Sequence, residues 1–248
     1  MLHKFYPSAA DFDNLSRVGT VTEAGPVTEF GGIVVNKPWG YEYLWYETPT
    51  VAIWMLYLKP GAATSLHCHV RKRTSLIVLE GEIRCTTLED AVRVQPLDSV
   101  VLEPCVFHSS EGTSPNGAFL MEIETPPMKH DLVRLRDRYK RAGTGYEGQT
   151  EYSQETNQYD YAPLQVDAGA ANQQFRSVRF HLRDVADRST ALLLASEHDI
   201  MIPLSRGVSG LERCKLEVGE AAAVHHIPAE LFPPRFEPVE ILFCKVTN

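Results

Sequence analysis

The sequence predicts an all-β protein: a barrel or sandwich of short strands, followed by a second and smaller β lobe. Three observations lead there. Runs of four to eight residues rich in Val, Ile, Leu, Tyr, Trp and Thr recur at even spacing, with Gly, Pro, Asn or Asp between them. Ala118 to Glu124, AFLMEIE, alternates with the period of a strand. Val51 to Leu58 is a continuous β-branched, aliphatic and aromatic run, far too short to span a bilayer.

Taken in order, residues 1–35 form a mixed N-terminal arm, broken at Gly25-Pro26 and Gly31-Gly32 and holding one short strand or helix. The barrel begins at Asn36 with NKPWGYEYLWY. There Trp39, Tyr41 and Tyr43 share one parity and line one face of the strand, either as core or as a wall on which a sugar stacks. After Val51–Leu58, Lys59-Pro60-Gly61 turns the chain into the strand that carries His67 and His69. Arg71, Lys72 and Arg73 connect it to the next strand. They are either a solvated run or a place where Arg71 and Arg73 hold a substrate phosphate or carboxylate. Ser75–Leu79 and Ile83–Thr87 make a hairpin around Glu80-Gly81-Glu82. Val92–Val94 and Val100–Leu102 continue the rhythm, and Ala118–Glu124 closes the barrel near residue 124. Asp131 is placed to cap a short helix reaching Tyr139, with basic residues towards its C-terminal end. Residues 142–174 read as a polar linker or a segment that hugs the surface. Strands then resume at Val178–Leu182, Ala191–Ala195, Ile200–Leu204, Leu211–Val218, Ala221–His226 and Val239–Val246, forming a second lobe over residues 175–248.

Composition narrows the function. The 248 residues are 44% hydrophobic and 23% charged, the balance of a water-soluble globular chain. A net charge of -8 argues against nucleic acid or an anionic membrane as the main partner. The opening MLHKFYPSAADFD has no apolar core of a secretion signal, and the five cysteines are dispersed without CxxC spacing. Both suit a reduced, cytoplasmic setting.

The chemistry centres on three histidines. His67 and His69 are two apart, so on a strand both leave the same face while Cys68 leaves the other. His108 ends a further strand-like run. Two strand histidines at this spacing are often merely packed. Three imidazoles meeting in one barrel instead make an open metal site for a single divalent ion such as Zn, Fe(II), Mn or Ni. His225 and His226 are adjacent, point to opposite faces of a strand and cannot chelate one ion together.

The surrounding pattern resembles the cupin family. Gly61, His67, His69 and Gly81 fall at the spacing of its first motif, with Thr74 where the glutamate ligand stands. His108 holds its place in the second motif, where Leu97, Glu103 and Cys105 replace glycine, proline and glycine. The KPWG phrase, and Asp131 to Arg141 read against DIVRLEDxYGR, are similar to the mannose-6-phosphate isomerase-type cupin domain. The resemblance implies a double-stranded β-helix, or jelly-roll barrel, over residues 36–141. It also implies three of the four family metal ligands, and a degenerate, metal-free cupin-like lobe at the C-terminus that packs, dimerises or covers the barrel mouth.

A metal held only by neutral imidazoles keeps its full charge and acidifies the α-proton of a chelated hydroxycarbonyl. Glu122 or Glu124, which share parity, is then the candidate base, with at most one facing the pocket. The resulting expectation is a homodimeric sugar or sugar-phosphate isomerase or epimerase acting on a small-molecule substrate, a sugar or an anionic metabolite. A three-histidine Fe(II) dioxygenase and a non-catalytic small-molecule-binding cupin remain open beside it.

Overall fold

Alternation along the strands decides which face each residue serves, and here both faces of the central sheet are buried. The computed structural model describes residues 1–19, 29–196, 199–209, 215–224 and 235–247. The N-terminal part contains β1 (Leu2–Phe5), α1 (Ala9–Val18), β2 (Val34–Lys37), β3 (Gly40–Glu47), β4 (Ala52–Leu58), β5 (Leu66–Cys68) and β6 (Arg73–Glu80). It continues with β7 (Ile83–Thr87), β8 (Ala91–Val94), β9 (Ser99–Leu102), β10 (His108–Gly112), β11 (Ala118–Thr125) and β12 (Val133–Arg136). An eight-stranded sheet, ordered β1-β9-β6-β11-β4-β3-β2 and then β13 (Tyr152–Ser153), faces a five-stranded sheet ordered β12-β5-β10-β7-β8.

The space between these sheets is the barrel core. Trp54, Leu56, Leu76, Val78 and Leu120 fill it from the larger sheet, and Ile83, Cys85 and Val94 from the smaller. The neighbouring residues Ile53, Met55, Ile77, Phe119 and Met121 point the opposite way. They meet a second five-stranded sheet built from β14 (Ala171–Phe175), β15 (Val178–Asp187), β16 (Ile200–Pro203), β19 (Ala222–Ala223) and β20 (Arg235–Val246). Its order is β14-β15-β20-β16-β19, and Phe180, Leu182, Ile202 and Leu242 are its share of the contact. Trp45 meets Phe180 with ring centroids 4.7 Å apart. Two-sided burial is why Val51–Leu58 reads as an unbroken apolar run. The far face of this sheet carries Val185, Met201, Ile241 and Phe243, covered by α2 (Arg188–Leu194) and a ribbon of β17 (Val208–Ser209) and β18 (Lys215–Leu216).

Several expectations change. Residues 131–139 contain strand β12, not a helix. Leu132 and Val133 are buried, and Val133 and Arg134 pair with Cys68 and His67. The alternating Val-Arg-Leu run serves a sheet edge better than a helix face. Residues 191–194 lie in α2 rather than a strand, and Ala195 is its C-cap, because Asp187 accepts from the Thr190 backbone N–H at 2.9 Å and Ala191–Leu194 are good helix formers. The arm contributes both a strand and a helix. β1 pairs parallel to β9, and Ser8 and Asp11 form a reciprocal cap on α1. The segment 142–174 is part of the fold, with Leu164 N–H donating to the Trp45 carbonyl and Tyr159 and Tyr161 packing beside Tyr41 and Tyr43. His225 and His226 lie outside the described residues. Among those described, no helix is long and apolar enough to cross a membrane.

Candidate metal centre

Strand register brings the histidines together. On the antiparallel pair β5/β10, His67 and His108 are direct cross-strand partners. His69 follows one residue beyond β5. Ring centroids are 4.4 Å apart for His67–His108, 5.0 Å for His67–His69 and 5.4 Å for His69–His108. One ring nitrogen from each lies within 4.8 Å of the other two. Cys68 points away, fully buried with Phe107 and Val133 on the other side of the sheet. The barrel is a double-stranded β-helix, in which β4 pairs with β11, β5 with β10, β6 with β9 and β7 with β8.

In this barrel the ring orientations are fixed from behind. His67 Nδ1 lies 2.8 Å from the Ser65 carbonyl and His108 Nδ1 lies 3.0 Å from that of Val106, while His69 Nδ1 faces the carbonyl of Asp131. A carbonyl only accepts, so each Nδ1 carries the proton and each Nε2 presents a lone pair. His69 Nε2 is buried and has no hydrogen-bond partner among the described residues. Backbone anchoring of one nitrogen with the other free is the arrangement of metal-ligating histidines. Burial holds His67 and His69 well below the ordinary histidine pKa, with His108 adding to the effect at His67 and Lys72 at His69. Burial, with a smaller contribution from Lys72, brings His108 down to about 4. All three are therefore neutral at pH 7, the state that binds a cation. The donor set fits a divalent metal, and His67, His69 and His108 are the residues to hold it.

Asp131 builds the approach to the site. Its carboxylate accepts the backbone N–H groups of Val70, Arg71 and Lys72 at 3.1, 2.7 and 3.0 Å, and so folds the connection after His69 over itself. Period-two geometry then separates the basic run. Arg71 is exposed and Lys72 is 1% exposed inside the barrel. Arg73 is tied to Glu103 at 3.1 Å and to Glu217 of the C-terminal lobe. Neither Arg71 nor Arg73 lines the site cavity; Lys72 does. The expected aromatic wall divides as well. Trp39 sits in the tight turn between β2 and β3 and lines the cavity, whereas Tyr41 packs on Tyr57 and Tyr159 in the core between the lobes.

Glu122 and Glu124 both point into the barrel, but of the two only Glu122 lines the cavity. Glu124 is fully buried, 2.8 Å from Lys72 Nζ and 3.3 Å from Lys129 Nζ. Lys129 also reaches Glu42 at 3.0 Å and lies over the Trp54 ring at 3.6 Å. Against the pull of burial, the two ammonium groups hold Glu124 below the usual carboxylate pKa. Glu122 lines the cavity with no ion pair or hydrogen bond to any described residue, and burial raises its pKa. Tyr146, Glu147 and Arg134 also line the cavity, and Glu147 links Lys37, Arg134 and Arg141. The enclosed space is about 50 Å³.

These neighbours were largely silent in the sequence. Glu42 was the readable exception, an acid inside the apolar stretch of its strand and on the face of Leu56, its partner across the sheet. Lys129, Arg134, Tyr146 and Glu147 reach the site from segments whose path depends on tertiary packing.

No protein-family model matches the chain, and no curated protein matches it. Solved structures are similar in part. An RmlC-like cupin from Shewanella frigidimarina aligns over 44% of this chain and 93% of its own, at 18% identity and a TM-score of 0.34. KdgF from Halomonas sp. aligns over 37% and 83%, at 17% identity and a TM-score of 0.35. A sugar phosphate isomerase of the cupin superfamily from Silicibacter pomeroyi aligns over 44% and 69%, at 15% identity and a TM-score of 0.33.

Proposed function

We propose that this chain is a metal-dependent cupin enzyme of the sugar or sugar-phosphate isomerase or epimerase type, acting on a small anionic hydroxycarbonyl compound. The observation that carries the reading is the divergence of two neighbouring carboxyl groups on one strand, one of which, Glu122, lines the cavity with His67 and His69. Glu124 is held ionised between Lys72 and Lys129, and Glu122 is left unpaired with a raised pKa. Environments that push two acids apart mark one as the acid–base group and the other as fixed charge. His67, His69 and His108 would hold a divalent ion, which when bound would polarise a carbonyl or hydroxyl oxygen of the substrate.

The chain's own residues do the rest. Glu122 accepts and returns the proton α to that carbonyl. Lys72 and Lys129 place positive charge beside the developing enolate. A cavity of about 50 Å³ has room for the chelating end of a substrate only, so the remainder lies towards Trp39 and Tyr146.

With candidate aldose and ketose phosphates in deuterated water, the wild type is expected to place solvent deuterium at the α-carbon. Glu122→Gln should slow this by about 100-fold or more while bound metal is retained. Because its carboxyl is raised, the acid limb of the pH–rate profile should lie above the ordinary glutamate range. Absence of deuterium from every candidate would remove the isomerase reading. The second reading, an Fe(II) dioxygenase, is favoured by Thr74 in place of a carboxylate ligand. Oxygen uptake that appears only with iron would select it. A homodimer is proposed alongside, to be tested by light scattering.

A further inference from the structure

The outer face of the β12-β5-β10-β7-β8 sheet carries a second recess, of about 530 Å³, separated from the histidines by the sheet itself. Arg84, Arg136 and Arg138 line it together with Thr86 and Ser109. Alternation sends His108 inward and Ser109 outward on β10. On β12 the rule is broken on purpose. Arg134 faces the barrel, and two-residue spacing would send Arg136 there too. A register irregularity between them pairs Arg134 with His67 and Arg136 with Leu66, and turns Arg136 to the outside.

The charge balance of this recess is uneven. Arg84 and Arg138 share one carboxylate: Arg84 Nη2 donates to Glu111 Oε2, and Arg138 Nη1 lies 3.4 Å from Glu111 Oε1. Arg136 has no ion pair or hydrogen bond among the described residues. The other acid at the edge, Asp137, is fully buried and bound to Arg141 at 2.8 Å. Three guanidiniums therefore face one available carboxylate, in a chain whose net charge is -8.

We propose that this recess binds a phosphorylated small molecule. Guanidinium groups present paired N–H donors that match phosphate oxygens, and the Thr86 and Ser109 hydroxyls supply further polar contacts. The volume lies in the range of ordinary small-ligand sites. The site is independent of the metal centre, since its ligand would contact none of the histidines.

Calorimetric titration of the full chain with inorganic pyrophosphate tests this. Wild type is expected to bind one pyrophosphate, more weakly as salt is raised. Arg136→Ala and Arg138→Ala should each weaken binding about tenfold, as expected for loss of a charge-assisted contact. Both positions are exposed, so folding should be retained, and circular dichroism checks that. His69→Ala should bind pyrophosphate as wild type does. No saturable binding at millimolar pyrophosphate would overturn the proposal. So would arginine variants that bind unchanged, or binding that is lost in His69→Ala and kept in the arginine variants. An oligonucleotide that binds where pyrophosphate does not would also overturn it.

Discussion

His69→Ala and His108→Ala are expected to lose nearly all bound metal, with affinity falling by at least about 100-fold, whereas Cys68→Ala should keep it. The contrast follows from geometry. His69 and His108 each present a free Nε2 to the common point, with Nδ1 anchored on the carbonyls of Asp131 and Val106. Cys68 lies between two ligands in sequence and yet is buried on the opposite side of the sheet. Elemental analysis of the three variants and wild type, purified in parallel with zinc or iron supplied, decides the matter. Equal metal in all four would end the metal-centre reading.

The second large effect is on stability. Glu124→Ala should cost about 3–5 kcal/mol, because it leaves Lys72 buried without its partner and removes one of two carboxylates from Lys129. Replacing the pair together, Lys72→Met with Glu124→Leu, should recover much of that loss. Chemical denaturation of both variants measures it, and a Glu124→Ala chain as stable as wild type would show that the buried charges are dispensable. The pH dependence has a definite sign. The folded pKa values of Glu124 and Glu42 are both depressed, Glu42 to about 2. Their contribution is fully present above the unfolded glutamate pKa and is lost as pH falls through the folded values. Acid unfolding driven by these groups therefore belongs below about pH 4.5.

The all-β architecture and the histidine trio were legible because both rest on period-two geometry. His67 and His69 had to share a face, and Cys68 had to leave it. The same rule placed Glu122 and Glu124 on one face, but not their different fates, which depend on Lys72 and Lys129 arriving from separate segments. Asp131 looked like a helix cap because its side chain does bind consecutive backbone N–H groups. Those groups belong to residues 70–72, some sixty positions earlier, and no local pattern shows it. Arg136 escaped alternation through a bulge, which a sequence does not announce. The sequence left Tyr41 and Tyr43 open between core and sugar wall, because the sheet that covers them lies more than a hundred residues downstream.

That covering sheet has a consequence for how the chain can be divided. Tyr43, Trp45, Ile53, Met55 and Met121 would form a broad greasy slab in water if the polypeptide stopped at residue 141. The segment that carries the metal ligands is thus no portable module. Its outward-facing wall is closed by the protein's own C-terminal third, and any pairing of two copies has to find a different surface.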